Sequence, residues 1–122
     1  MVKKTIKYSD YNGNEMEEDF YFNLSKVELL EMEMSTEGGL ENKIKKIVES
    51  NNKYDIIKYF KDIIKQSYGK KSEDGKRFIK DPKDFEEFAQ TEAYVNLFME
   101  LATNSDAAAN FVNGIIPQGL KW

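Results

Sequence analysis

The sequence predicts an α+β fold: an N-terminal β-hairpin followed by a five- or six-helix bundle. Two alternating stretches, at 3–9 and 17–24, flank the pair Asn12-Gly13, the strongest short hairpin signal. The stretches that follow place their apolar residues three and four apart, the period of amphipathic helices. The length of 122 residues suits one domain with a real core and no need of staples. The expected division is a single domain over 1–117, with the hairpin at 3–24, helices at 25–117 and a frayed tail at 118–122.

In the hairpin, Ile6, Tyr8, Phe20 and Phe22 fall on one face and should be buried. Asn12-Gly13 suits a type I′ turn, whose two central residues need positive φ. Asp10, Asn12 and Asn14 also stand at the spacing of calcium ligands. A calcium loop, however, wants glycine sixth and a bidentate glutamate twelfth. Here glycine comes fourth and Tyr21 twelfth, so a plain turn is the reading.

The first helix has a full start signal. Ser25 caps, Glu28 completes the capping box, and Leu24 with Leu29 forms the hydrophobic staple. This helix should reach Met34 and stop before Gly38-Gly39, with Met32 and Met34 as gap-fillers in the core or residues of the helix end. Two amphipathic helices follow, one buried through Leu40, Ile44, Ile47 and Val48, the other through Ile56, Ile57, Phe60, Ile63 and Ile64. The lysine-rich stretch "GKKSEDGKRFIKDPK" reads as a solvated connection that turns at Asp74-Gly75 and is pinned by Phe78-Ile79. Asp81-Pro82 then opens a helix with its cap and a proline in the first turn, buried through Phe85, Phe88 and Ala89. In "EAYVNLFMELA", Tyr94, Leu97, Phe98 and Leu101 form one stripe and Val95, Met99 and Ala102 a second, the pattern of a helix at the centre of a bundle. After a break at "TNSD", a last helix sets Phe111, Val112, Ile115 and Ile116 on one side, and Gly114 and Pro117 end its regularity.

Composition excludes several classes of function. No cysteine and no histidine are present, which removes disulfides, thiolate and imidazole metal sites and every histidine-dependent triad. Adjacent acids such as Glu17-Glu18 and Glu86-Glu87 read as a solvated surface, and "STEGGLEN" lacks the lysine-serine ending of a phosphate loop. The sequence therefore predicts no enzyme, no catalytic residues, no metal and no cofactor. A net charge of −4 with Arg77 as the lone arginine argues against nucleic acid as partner. The opening "MVKKTIKYSDY" is too polar for a signal peptide and no apolar run approaches membrane-spanning length, so a cytoplasmic protein without membrane contact is expected.

Binding remains. From Ala89 onward only Glu92, Glu100, Asp106 and Lys121 are charged. Each large side chain left in water forgoes roughly 1.5–3 kcal/mol, against a net stability of about 5–15 kcal/mol for a typical domain. Most of the 94–102 stripe must therefore be satisfied at home. The terminal segment, with Phe111, Ile115, Ile116 and Trp122, can pack at home or dock elsewhere. The candidate partner-binding residues are Tyr94, Met99, Phe111, Val112, Ile115 and Ile116, and spare apolar surface leaves room for a homo-oligomer.

The segments "DFYFNLSKVELLEMEMSTEGGLE", "SEDGKRFIKDP" and "FAQTEAYVNLFMELATNSDAAANFVNGIIP" resemble the tail assembly chaperones of long-tailed (siphovirus-type) phages and prophages of Gram-positive bacteria. The likeness runs from about Lys3 to Pro117. It implies a non-catalytic protein of the bacterial host cytoplasm that binds the phage tape measure protein and helps recruit tail tube subunits. It also implies absence from the finished particle, and in such families a frameshift often supplies a longer form. Two other readings stand beside it: a structural tail component of the connector or completion kind, and a small regulatory phage protein that binds nucleic acid through the 70–83 loop.

Overall fold

A computed structural model of the chain describes residues 1–50 and 52–116, without the side chains at 40, 41, 44, 45 and 48. The expected burial of Leu40, Ile44 and Val48, the stop at Pro117 and the tail 118–122 with Trp122 thus lie outside the described residues. The chain is α+β, with elements in the order β1 (Val2–Ser9), β2 (Glu15–Phe22), α1 (Lys26–Ser35), α2 (Gly39–Ser50), α3 (Lys53–Ser67), β3 (Tyr68–Lys71), β4 (Phe78–Ile79), α4 (Pro82–Phe88), α5 (Glu92–Thr103) and α6 (Ser105–Ile115).

β1 and β2 pair antiparallel from Val2↔Phe22 to Ser9↔Glu15. Even-numbered residues face the helices: Ile6 and Phe22 are buried, and Tyr8 and Phe20 pack against the core. The loop is not a two-residue turn. Asp10 N–H donates to Asn14 carbonyl at 2.9 Å and Gly13 N–H to Asp10 carbonyl at 3.0 Å. Only a three-residue loop closes in this way, with one left-handed residue, Gly13 (φ 83°), at its end. The Asp10 carboxylate accepts the backbone N–H groups of Asn12 and Asn14, both at 2.9 Å. Those bonds, led by the one from Asn14, hold its carboxyl below the usual range. The aspartate locks the turn.

A larger departure lies at 68–79. The connection expected there is a second hairpin, β3–β4, and it extends the sheet to the order β1-β2-β3-β4. β3 meets β2 only through Tyr21↔Gly69 and Phe22↔Tyr68, then pairs with β4 through Lys70↔Ile79 and Lys71↔Phe78. Two positions explain the missed strands. Gly69 sits where a Cβ would come within 2.5 Å of the Phe78 ring and 2.9 Å of Ile79 carbonyl, so its glycine marks close backbone approach rather than a loop. Ser67 N-terminal to it ends α3 buried, its hydroxyl donating to Ile63 carbonyl at 2.6 Å.

The helix boundaries follow local chemistry. Ser25 and Glu28 form the capping box of α1 in both directions, at 3.1 Å and 3.0 Å, and Leu24 and Leu29 are both buried. Gly38 and Gly39 take positive φ between α1 and α2. Asn52 caps α3, Asp81 caps α4, and Asn104 ends α5 and caps α6. Gly114 does not end α6, which continues through Ile115. A Cβ at Gly114 would collide with Val2 Cγ2, so this glycine lets α6 lie against β1.

The core joins both hairpins to the C-terminal helices. Phe22 is fully buried with its ring 5.2 Å from Phe111, 5.7 Å from Tyr68 and 6.1 Å from Phe88. Tyr68 and Phe88 stack at 4.5 Å. Ala93, Leu97 and Leu101 bury one face of α5, and Lys4 of β1 bridges to Glu100 at 3.1 Å. Phe85 and Ala89 of the α4 stripe are half-buried and Phe88 is buried, whereas Ile57 of the α3 stripe is exposed.

Candidate interaction surface

The six candidate contact residues separate by depth. Phe111 is 3% exposed and Ile115 0%; the Phe111 ring meets Phe22 edge-on and Ile115 carbonyl accepts from Leu24 N–H at 3.1 Å. These two are core side chains of the subunit itself. The reason is geometric: α6 lies on the strands, so its apolar stripe closes the core beneath Phe22. Tyr94, Val112 and Ile116 are half-buried. The Tyr94 ring packs edge-on against Phe85 and Phe88 and stacks on Phe98 at 6.1 Å. Burial pushes its hydroxyl above the ordinary range. Met99 alone of the six stands open, at 52% exposure.

Met99 does not stand alone on this face. Val95, one turn earlier on α5, is 43% exposed, and Ala102 beyond it is also exposed. The second stripe of α5 is therefore an outer face, not the inner face of a bundle. At one end of it stands Tyr11, in the hairpin loop, whose hydroxyl is pushed above its ordinary range by the nearby Glu92 carboxylate.

A second apolar face runs along α1. Val27, Leu30 and Met34 are 65%, 59% and 78% exposed, at spacings of three and four that align them on one side. Met34 is thus no core filler, whereas Met32 does pack against the core. The signal was in the sequence: a helix with apolar residues at 27, 29, 30, 32 and 34 carries two stripes, and one short helix rarely buries both.

Among the described residues no cluster of three or more metal-ligating side chains is assembled, and no helix is long and apolar enough to cross a membrane. What the surface offers a ligand is apolar helix flank bordered by charge, which suits the face of another polypeptide.

Fold and surface define a small α+β protein that keeps methionine, valine and leucine on the outside of two helices. Residues 1–121 match the family model described as phage tail assembly chaperone. The chain belongs to that family. No curated protein and no solved structure matches it.

Proposed function

We propose that the protein acts in the cytoplasm of a bacterial host as a non-catalytic chaperone of phage tail assembly, binding the tape measure protein and helping to recruit tail tube subunits. The observation that carries this reading is the family match over residues 1–121. The exposed face of α5 supports it, since Val95 and Met99 give a helical client the apolar flank it needs for packing. In this reading Met99 and Val95 make the central contact. The outward edges of Tyr94, Val112 and Ile116 widen it, and Phe111 and Ile115 hold α6 in place from beneath.

Co-purification tests it. The tape measure protein, co-expressed with the wild-type chain, should be retained, and with the V95K/M99K double variant it should be lost. Both substituted side chains already meet solvent, so the variant should keep its thermal unfolding midpoint. Equal retention by the variant would remove α5 as the contact. Mass spectrometry of purified particles supplies the second half: a chaperone should be absent from virions, and a stoichiometric presence would make the protein a structural tail component instead.

A further inference from the structure

Among the described residues the sheet leaves a strand edge open. In an antiparallel pair, residues that exchange backbone bonds alternate with residues whose N–H and C=O point away from the partner. Asp10 N–H bonds to Asn14 carbonyl, so in β1 and β2 the even-numbered residues exchange bonds and the odd-numbered ones face outward. Two further bonds agree with that parity. Asn96 Nδ2 donates to Lys7 carbonyl at 3.1 Å on the outer side of β1, and Asn23 N–H donates to Ser67 carbonyl at 2.7 Å on the outer side of β2. Glu15, Glu17 and Asp19 therefore turn their backbone groups away from β1. β3 covers β2 only at Tyr21 and Phe22, and among the described residues no backbone bond reaches the other three from that side.

Beside this edge runs a groove of about 620 Å³ between β2 and β3, floored by Tyr68 and Phe88. Its field is negative. Glu18, Asp84 and Glu87 line it, while of its two lysines Lys70 lies 3.4 Å from Asp84 and Lys71 sits over the Tyr21 ring at 4.6 Å. Burial first, then the carboxylates of Asp84, Glu18 and Glu87, push the Tyr68 hydroxyl above its ordinary range.

We propose that the outer edge of β2, from Glu15 to Asp19, accepts an extended lysine- or arginine-bearing segment of another protein as an added antiparallel strand. The chain itself shows what β2 accepts. Its inner edge holds β1, which carries Lys3, Lys4 and Lys7 and no acid, with Lys7 opposite Glu17 and Lys3 Nζ 3.6 Å from Asp19. The outer edge offers the same acids and, among the described residues, a second set of unpaired backbone groups. Charge on an exposed edge also repels indiscriminate pairing, so the acids select for a basic strand. β1 of a second copy is not the occupant, because β1 is tied down: Lys7 carbonyl to Asn96, Lys4 to Glu100 and the N-terminal amine to Gly114 carbonyl. The site is separate from the α5 face, so its failure leaves the chaperone reading untouched.

The test uses an acetylated, amidated peptide of sequence VKKTIKYS, titrated into the ¹⁵N-labelled full chain. Binding should slow amide exchange at Glu15, Glu17 and Asp19 at least tenfold. It should weaken at least tenfold when the peptide's lysines become glutamates, when its alternate amides are N-methylated, or in the variant E17K. E17Q should fall between E17K and the wild type. Millimolar peptide that leaves those three amides unchanged would overturn the proposal. So would protection equal with the glutamate peptide, a response confined to Val95 and Met99, or loss of protection along Val2–Ser9, which would mean exchange with β1. Self-association of the chain without peptide, lost in E17K, would overturn the choice of occupant.

Discussion

Phe111 and Met99 stand on neighbouring helices, and the sequence offered both as contact residues. Their environments now give opposite expectations. Phe111→Ala removes a ring packed against Phe22 and should cost about 3–5 kcal/mol, read as a lower midpoint in urea. Met99→Ser, at a half-exposed position, should change stability by no more than about 0.5 kcal/mol. Gly114 gives a third residue-scale expectation. Gly114→Ala would ordinarily favour a helix by up to about 1 kcal/mol, but here the new methyl group meets Val2 Cγ2 and should lower the thermal midpoint. In a Val2→Ala background the same change should be neutral or stabilising, and the double-mutant cycle reads that coupling. Periodicity could place Phe111 and Met99 on apolar stripes. It could not say which stripe meets the sheet, because that depends on where α6 crosses β1.

Among the elements, those with local signals were legible. The β1–β2 hairpin is written in alternation, and α1 in Ser25, Glu28 and the Leu24–Leu29 staple. β3 and β4 were not, because four residues (YGKK) and two (FI) are too short to carry a period of their own. Their pairing comes from a tertiary partner, β2, and from the close approach at Gly69. Gly69→Ala should therefore destabilise the protein by about 1–3 kcal/mol, with exchange protection lost first at Lys70 and Lys71. Lys80, just after β4, ties this hairpin to two helices: its ammonium pairs with Glu28 of the capping box and donates to Gln66 carbonyl at the end of α3 at 2.8 Å. Burial raises the Glu28 carboxyl, but Lys80 and the Ser25 N–H outweigh it and its net shift is downward. A carboxyl lowered on folding adds stability that is complete above its unfolded value, about 4.3. That stability is lost as the pH falls through the lowered folded value. Acid unfolding of Glu28→Gln should accordingly begin from a less stable protein at pH 7 and show a shallower loss below pH 4.

At the scale of the molecule, the charge-poor C-terminal third proves to have two jobs. Its inner side closes the core over the sheet, and its outer side, with Val95 and Met99, remains apolar in water. The family assignment was legible in the sequence because its motifs run through the whole chain. The surface was less so: α1 carries apolar residues at 27, 29, 30, 32 and 34, and only its tertiary packing decides that Leu29 and Met32 turn inward and leave Val27, Leu30 and Met34 in solvent. On the proposed reading the client sits on the open face of α5. Site-specific photo-cross-linking tests it directly, with the probe at position 99 and a control probe at the exposed Glu49 of α2, in cells expressing the tape measure protein. A cross-linked species with the tape measure is expected from position 99 and none from 49. Equal capture at both positions, or no capture at 99 while the two proteins still co-purify, would contradict it.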